Sequence, residues 1–367
     1  MATRVTTPRS TELVVRADAL GIAARRRRSL AWLVALVALL VLSVLVAVGV
    51  GAAQVSPMAT GRIVLHQLLG VGTPDWPAAR EAIIWDVRTP RVLLGVCVGS
   101  GLAVCGMALQ AMVRNVLADP YLLGINSGAS SGAAASILFG IGAGLGEHAL
   151  QASAFVGALA ASVLVLLIAR TGGRVTSIRL LLAGVAVGYA LYALTSFLIF
   201  ASDSAEGSRS VLFWLLGTLS LGSWGAPLAV VAVIVAATVA LLAHSGRQLD
   251  ALALGDETAL TMGVDPNRLR VWLLVVVALC IGVAVAAAGS IGFVGLVIPH
   301  VARRVVGSAH RIAIPVAAVM GAIFLVWADV VARTLLAPQE IPLGILTSLV
   351  GAPFLLVLIR RMQVSST

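Results

Sequence analysis

The chain has 367 residues, 60% of them hydrophobic and 11% charged, with a formal net charge of +10 and a mean hydropathy of +1.06. Soluble domains carry about 25% charged residues, so this composition excludes an ordinary soluble domain and points to a polytopic membrane protein. All 25 basic residues are Arg, which excludes a P-loop, where a Lys must hold the nucleotide phosphates, and Schiff-base catalysis.

A helix needs about 20 apolar residues to cross roughly 30 Å of hydrocarbon. On that rule an all-α fold of ten transmembrane helices is expected, with crossings near residues 30–53, 91–113, 121–141, 149–169, 179–201, 226–244, 271–288, 291–301, 311–331 and 343–360. Residues 1–29 form a cytoplasmic tail in this reading, 30–361 the ten-span domain, and 362–367 a second cytoplasmic tail. Arg25 to Arg28 precede about two dozen apolar residues, longer than the ~7–15 of a signal-peptide core, so the first span is expected to be uncleaved. The segment 54–90, with Pro57, Pro74, Pro77 and Pro90, reads as an outside loop. Val211 to Leu216 is too short to span and reads as a helix near the outer surface.

The stretch 271–301 is either one helix or two spans broken at Gly289-Ser290-Ile291-Gly292. With the break and the N-terminus inside, 19 Arg fall inside and 6 outside; without it the division is 15 and 10. The excess of Arg in cytoplasmic loops favours the break and places both termini in the cytoplasm. The eighth span is then too short to cross alone, and its Gly-rich start must be buried among neighbours or line a cavity. Gly95 with Gly99, Gly128 with Gly132 and Gly184 with Gly188 recur at four-residue spacing, which suits close helix contact in lipid.

Cys97, Cys105 and Cys280 lie in apolar runs without a Cys-x-x-Cys pair and read as core residues, not a disulfide or zinc framework. The five His are dispersed; His300, after Pro299, reads as a structural hydrogen-bonding residue, and no metal site is expected. Asp119-Pro120 suits a helix start. Between two apolar stretches, residues 247–270 form a polar island containing Gly255-Asp256-Glu257-Thr258-Ala259 and Gly263-Val264.

Five separated segments together carry a resemblance: Arg88-Thr89-Pro90-Arg91, Arg114-Asn115-Val116 through Asp119-Pro120-Tyr121-Leu122-Leu123-Gly124, the polar island, Gly292-Phe293-Val294-Gly295 through Pro299-His300, and Ala328-Asp329 through Arg333 followed by Gln339-Glu340-Ile341-Pro342-Leu343-Gly344. Over about residues 30–361 the chain resembles the permease family of ATP-binding-cassette importers for iron-siderophore chelates, haem and cobalamin, of the type II fold. Val116 stands where the family usually has Pro.

The resemblance implies that the island is a cytoplasmic coupling segment docking in a separate ATPase. Gly255 and Gly263 would serve its turns, Asp256 and Glu257 polar contacts to the motor, and Ala259 and Leu260 the docking face. It further implies that Arg88, Arg91 and Arg333 meet acidic residues of an extracytoplasmic substrate-binding protein. The alternative for these cations is local, since Asp329 and Arg333 are spaced i, i+4 and can neutralise each other, and Asp86 could do the same for Arg88. Thr176 and Ser177 align with the family's inner gate, and serve equally well as helix-start residues. The implied partners are a second permease, identical or paralogous, the ATPase and the binding protein, in a bacterial inner membrane; the chain carries no cofactor, and ATP is used by the partner. The rival readings are an ion-coupled secondary transporter, with Asp329 its clear intramembrane acid, and an intramembrane enzyme, for which no converging cluster is visible.

Overall fold

The computed structural model describes residues 22–51, 55–171 and 174–364; residues 1–21 of the expected N-terminal tail lie outside them. Eight of the described helices are long and apolar enough to span: within α1 (Ile22–Gly49), α3 (Ala78–Val113), α5 (Ala149–Ala169), α6 (Ser177–Phe200), α8 (Ala226–His244), α11 (Pro266–Ala288), α13 (His310–Thr334) and α14 (Leu343–Val364). At the places of the third and eighth expected crossings stand two shorter helices, α4 (Ile125–Phe139) and α12 (Val294–Val306). At 1.5 Å per residue, the 13 residues of α12 reach only about 20 Å.

The break expected after α11 is present. Gly289 (φ 68°) ends that helix and Phe293 (φ 68°) precedes α12, a left-handed conformation unusual for an aromatic residue. Room for it comes from Gly351 on α14, where a Cβ would overlap the Phe293 ring. A second irregular segment, 114–124, precedes α4: Arg114 has φ 53°, Pro120–Leu123 forms a 3-10 turn, and Gly124 has φ 69°. The two irregular segments meet. The Tyr121 hydroxyl accepts from the Ile291 amide at 2.5 Å, and Gln110 Nε2 donates to the carbonyls of Ala118 (3.4 Å) and Gly295 (3.3 Å). Non-helical backbone away from water is tolerated only when its polar groups are satisfied inside the protein, and these contacts do that.

The order long, short, long, long occurs twice, in α3–α4–α5–α6 and in α11–α12–α13–α14. The first helices of the two runs point in opposite directions, because Arg270 at the start of α11 donates to the Met112 carbonyl at the end of α3. These two helices are largely buried and form the centre of the core. At the periphery, α1 turns Val34, Val41, Leu42 and Leu45 outward, as a lipid-facing helix does.

Two sequence expectations are corrected here. The loop expected over 54–90 holds the helix α2 (Pro57–Leu69), and its last residues are already helical, because the helix that contains the span expected at 91–113 starts at Ala78, with π-helical turns over Ala82–Arg88. Pro57 occupies the first turn, where a missing N–H costs nothing, Ser56 caps the Ala59 amide, and Gly70 (φ 66°) ends the helix. The short apolar patch expected near the outer surface lies in α7 (Ala205–Leu215), whose start is capped by Ser204.

Close glycine packing joins α4 to α5. A Cβ on Gly128 would overlap the Gly157 carbonyl oxygen, and one on Gly132 the Ser153 carbonyl oxygen. Overpacking of this kind costs about 1–3 kcal/mol. Gly128→Val should therefore lower the melting temperature of the detergent-purified protein by several degrees, as read by size-exclusion chromatography after heating; an unchanged melting profile would show that α4 can slide without loss.

Candidate functional site

The polar island folds as two short helices, α9 (Gly246–Leu254) and α10 (Asp256–Thr261). Gly255 (φ 123°) makes the corner between them and Gly263 (φ 77°) ends the second, so both glycines occupy turn conformations that favour glycine. Val264 N–H then donates to the Ala259 carbonyl. The chain re-enters the bundle at Asp265, whose carboxylate accepts from the Asn267 and Arg268 amides at the start of α11. Leu254, Leu260 and Met262 project outward, Leu260 at 59% exposure. Glu257 is exposed on the first turn of α10, where an acid complements the helix dipole.

Ala259 does not share that outward face. It is fully buried (0%), which corrects its expected place on a docking surface: one step along a helix turns a side chain by about 100°, so Leu260 and Ala259 face different ways.

Asp256 is tied within the chain. Its two carboxylate oxygens accept from Arg270 at 2.6 and 2.9 Å, and this hydrogen bond with the guanidinium holds the carboxyl below the usual carboxylate range. Arg270 is 1% exposed and donates in addition to the carbonyls of Met112 (3.4 Å) and Val175 (3.2 Å) and to Ser177 Oγ (3.1 Å). Asp256 is thus bonded to Arg270 within the chain, while its side chain stays 38% exposed. The other half of the island is fastened separately. Asp250 Oδ1 accepts from the His310 backbone amide (3.0 Å) and lies 2.6 Å from His310 Nδ1, and Gly246 lies so near the Arg311 backbone that a Cβ would clash.

Thr176 caps α6, its hydroxyl accepting from the Arg179 amide at 3.4 Å. Ser177 Oγ donates to the Met112 carbonyl at 3.0 Å. Both residues expected at an inner gate therefore act at the start of α6, Thr176 as a cap and Ser177 as a bridge to the end of α3 and to Arg270.

At the opposite end, the three arginines implied to meet a binding protein are buried and bonded within the chain, Arg333 to Asp329 as the local alternative had it. Arg91 forms a bidentate pair with Asp329 and a second pair with Glu340, both at 2.8 Å. Arg333 lies 3.3 Å from Asp329 and donates to the Ala47 carbonyl at 2.6 Å. Arg88 donates to the carbonyls of Gly49 (2.9 Å) and Val48 (3.3 Å). The last carbonyls of a helix have no partner within it, and here Arg88 and Arg333 serve the end of α1. Glu340 lies in the loop before α14, where the hydrogen bond from Arg91 holds its carboxyl below the usual range.

Beside this network a cavity of about 1080 Å³ opens between α7 and the loop before α14, lined by Glu206, Arg209, Trp214, Thr218, Ser220 and Glu340 among others. His300 packs edge-on against Phe354, and its Nε2 is buried without a hydrogen-bond partner, so the hydrogen-bonding role read from sequence is not what holds it. Among the described residues no group of three or more His, Cys, Asp or Glu is placed to hold a metal ion.

Sequence reasoning left Arg270, Asp250, His310 and Glu340 without a role. Arg270 carried a usable signal, since it stands at the fifth position of a helix that is otherwise apolar for the next 18 residues, and a cation at such a place needs a partner. The identity of that partner needed the fold.

Known proteins provide the frame for this arrangement. Residues 39–361 match the FecCD transport family. The chain is 43% identical over 288 residues to the cobalamin import system permease protein of Halobacterium salinarum, covering 78% of this chain and 76% of that one. It is 41% identical to the hemin transport system permease protein of Yersinia pestis, covering 78% and 87%, and 38% identical to the Fe(3+)-citrate import system permease protein of Bacillus subtilis, covering 78% and 84%. A solved metal-chelate type ABC transporter in an inward-facing conformation superposes with a TM-score of 0.77 at 31% identity, covering 90% of this chain and 98% of that one. The chain belongs to the FecCD transport family and is a multi-pass permease of an importer.

Proposed function

We propose that this permease forms half of the path of an ATP-driven importer for an iron chelate, with haem or a corrinoid as the alternative cargo, in a bacterial inner membrane. The observation that carries the reading is the island at residues 246–263: a polar helix pair set on the end of an apolar bundle, with Leu254, Leu260 and Met262 outward. An exposed apolar patch rimmed by polar residues marks a protein contact, and a chain without Lys needs an outside source for its P-loop. The ATPase is the partner that meets both requirements, and the distribution of Arg puts the island in the cytoplasm. A second permease completes the path, and a binding protein delivers cargo to the opposite end, where the cavity beside α7 opens. The two permeases would rock between outward-open and inward-open states as the motor closes and opens. No cofactor is assigned to this chain; ATP is consumed by the partner.

Reconstitution tests this. Proteoliposomes containing the permease with its ATPase and binding protein should take up ferric chelate only when ATP is inside with the motor. Uptake by the permease alone that collapses with a proton gradient would replace the reading with ion-coupled transport.

A further inference from the structure

We infer that Arg270 is the positioning residue through which the coupling segment moves the transmembrane helices, with Asp256 as its handle at the docking surface. This deepens the reading of residues 246–263 as a motor contact and rests on it. The two members of the pair are placed differently: the Arg270 side chain is 1% exposed and the Asp256 side chain 38%. The acid therefore lies at the surface that an ATPase would cover, while the guanidinium lies inside the bundle.

Arg270's contacts gather four separate segments at one point. Asp256 belongs to α10, Met112 ends α3, Val175 lies just before α6, and Ser177 begins α6, while Arg270 itself sits on α11. Ser177 bonds the same Met112 carbonyl, closing a ring of contacts between α3, α6 and α11. A displacement of α10 therefore pulls on three membrane helices together. Helix α9 is fastened elsewhere, through Asp250 and His310 to α13. The two halves of the island are thus held by different polar contacts, although α9 also packs on α3, and the corner at Gly255 separates them.

Arginine suits this position for a geometric reason. A guanidinium offers five donors in a fixed plane, enough for a bidentate carboxylate and further acceptors at once, whereas an ammonium offers three on a flexible stem. Arg270→Lys would keep the charge and lose part of the ring.

The test uses the assembled complex in proteoliposomes, comparing cargo transported per ATP hydrolysed in wild type, Asp256→Asn, Arg270→Lys and the double variant. Each single variant should lower that ratio about tenfold, within the range of measured couplings between sites, and the double should be little worse than either single. Spin labels at Thr261→Cys and Ile178→Cys, with the three native cysteines replaced by Ala, should keep one separation across nucleotide states in wild type and change it in Asp256→Asn. Should Arg270→Lys or Asp256→Asn fail to assemble, Ser177→Ala removes one acceptor with all charges retained and should shift the ratio in the same direction. An unchanged ratio with an unchanged separation overturns the role of Arg270 alone. Failure of the wild-type permease to bind any ATPase overturns this role together with the motor contact itself.

Discussion

Asp329→Asn should be among the most damaging single changes available in this chain. The Asp329 side chain is 2% exposed and lies between two guanidiniums, 2.8 Å from Arg91 and 3.3 Å from Arg333. Neutralising it leaves two buried cations, Arg91 with only Glu340 among its bonded acids and Arg333 with the Ala47 carbonyl. Breaking a buried pair from one side costs about 3–5 kcal/mol, whereas replacing both partners by apolar residues of similar size is often nearly neutral. Asp329→Asn should accordingly lower the yield and melting temperature of the purified protein severely. Arg91→Met with Asp329→Leu should recover part of the loss, because Glu340 is 44% exposed and can be hydrated once released. A single variant that melts with wild type, or a double worse than the sum of the singles, would show that the pairing does not hold this end together. The same geometry bears on ion coupling through Asp329, whose carboxylate oxygens are already engaged by two guanidiniums.

The parts of this fold legible in the sequence were those set by lipid. Runs of about 20 apolar residues are required by the thickness of the bilayer, so the long helices stand close to where hydropathy put them. The Arg distribution, a property of loop charge, found the break before α12. Helix α2 was missed because four prolines in 54–90 read as loop, although Pro57 occupies the one helical turn that suits it. The doubled order of long and short helices left no sequence repeat, since packing constrains helix length and direction while leaving most side chains free. At the site, Gly255 and Gly263 could be assigned to turns from residue type alone. The roles of Asp256, Ala259, Arg88 and Arg91 could not, because each depends on which neighbour lies within about 3 Å, and the partners of Asp256, Arg88 and Arg91 are 14 to 249 residues away in sequence; of Arg333 only the local pair with Asp329 was legible, not its bond to the Ala47 carbonyl 286 residues away. A motif shows that an arginine belongs at a position; only packing shows whether its guanidinium faces a partner protein or an aspartate of the same chain.

That distinction gives the second large effect, at the outward face of the island. Leu260→Asp should abolish stable association with the ATPase while leaving the permease folded. Leu260 is 59% exposed and Met262 likewise 59%, so a charge there meets water in the free permease and is buried only when the partner docks. Truncating a central apolar anchor typically costs about 2–4 kcal/mol of binding, and an unpaired carboxylate in its place adds desolvation. The expected result is a loss of affinity of at least about 100-fold, since each 1.4 kcal/mol is a factor of ten, measured by co-purification and by titrating the ATPase onto permease in nanodiscs. The adjacent position predicts the reverse pattern. Ala259 is fully buried and its carbonyl accepts from the Val264 amide, so Ala259→Leu should misplace α10 and lower thermal stability before any partner is added. Loss of ATPase binding with an unchanged melting curve in Ala259→Leu, or a lowered melting curve with intact binding in Leu260→Asp, would reverse the assignment of the two faces. With the faces as found, the proposed motor contact is an apolar ridge of Leu254, Leu260 and Met262, and Asp256 beside that ridge is the proposed handle on Arg270.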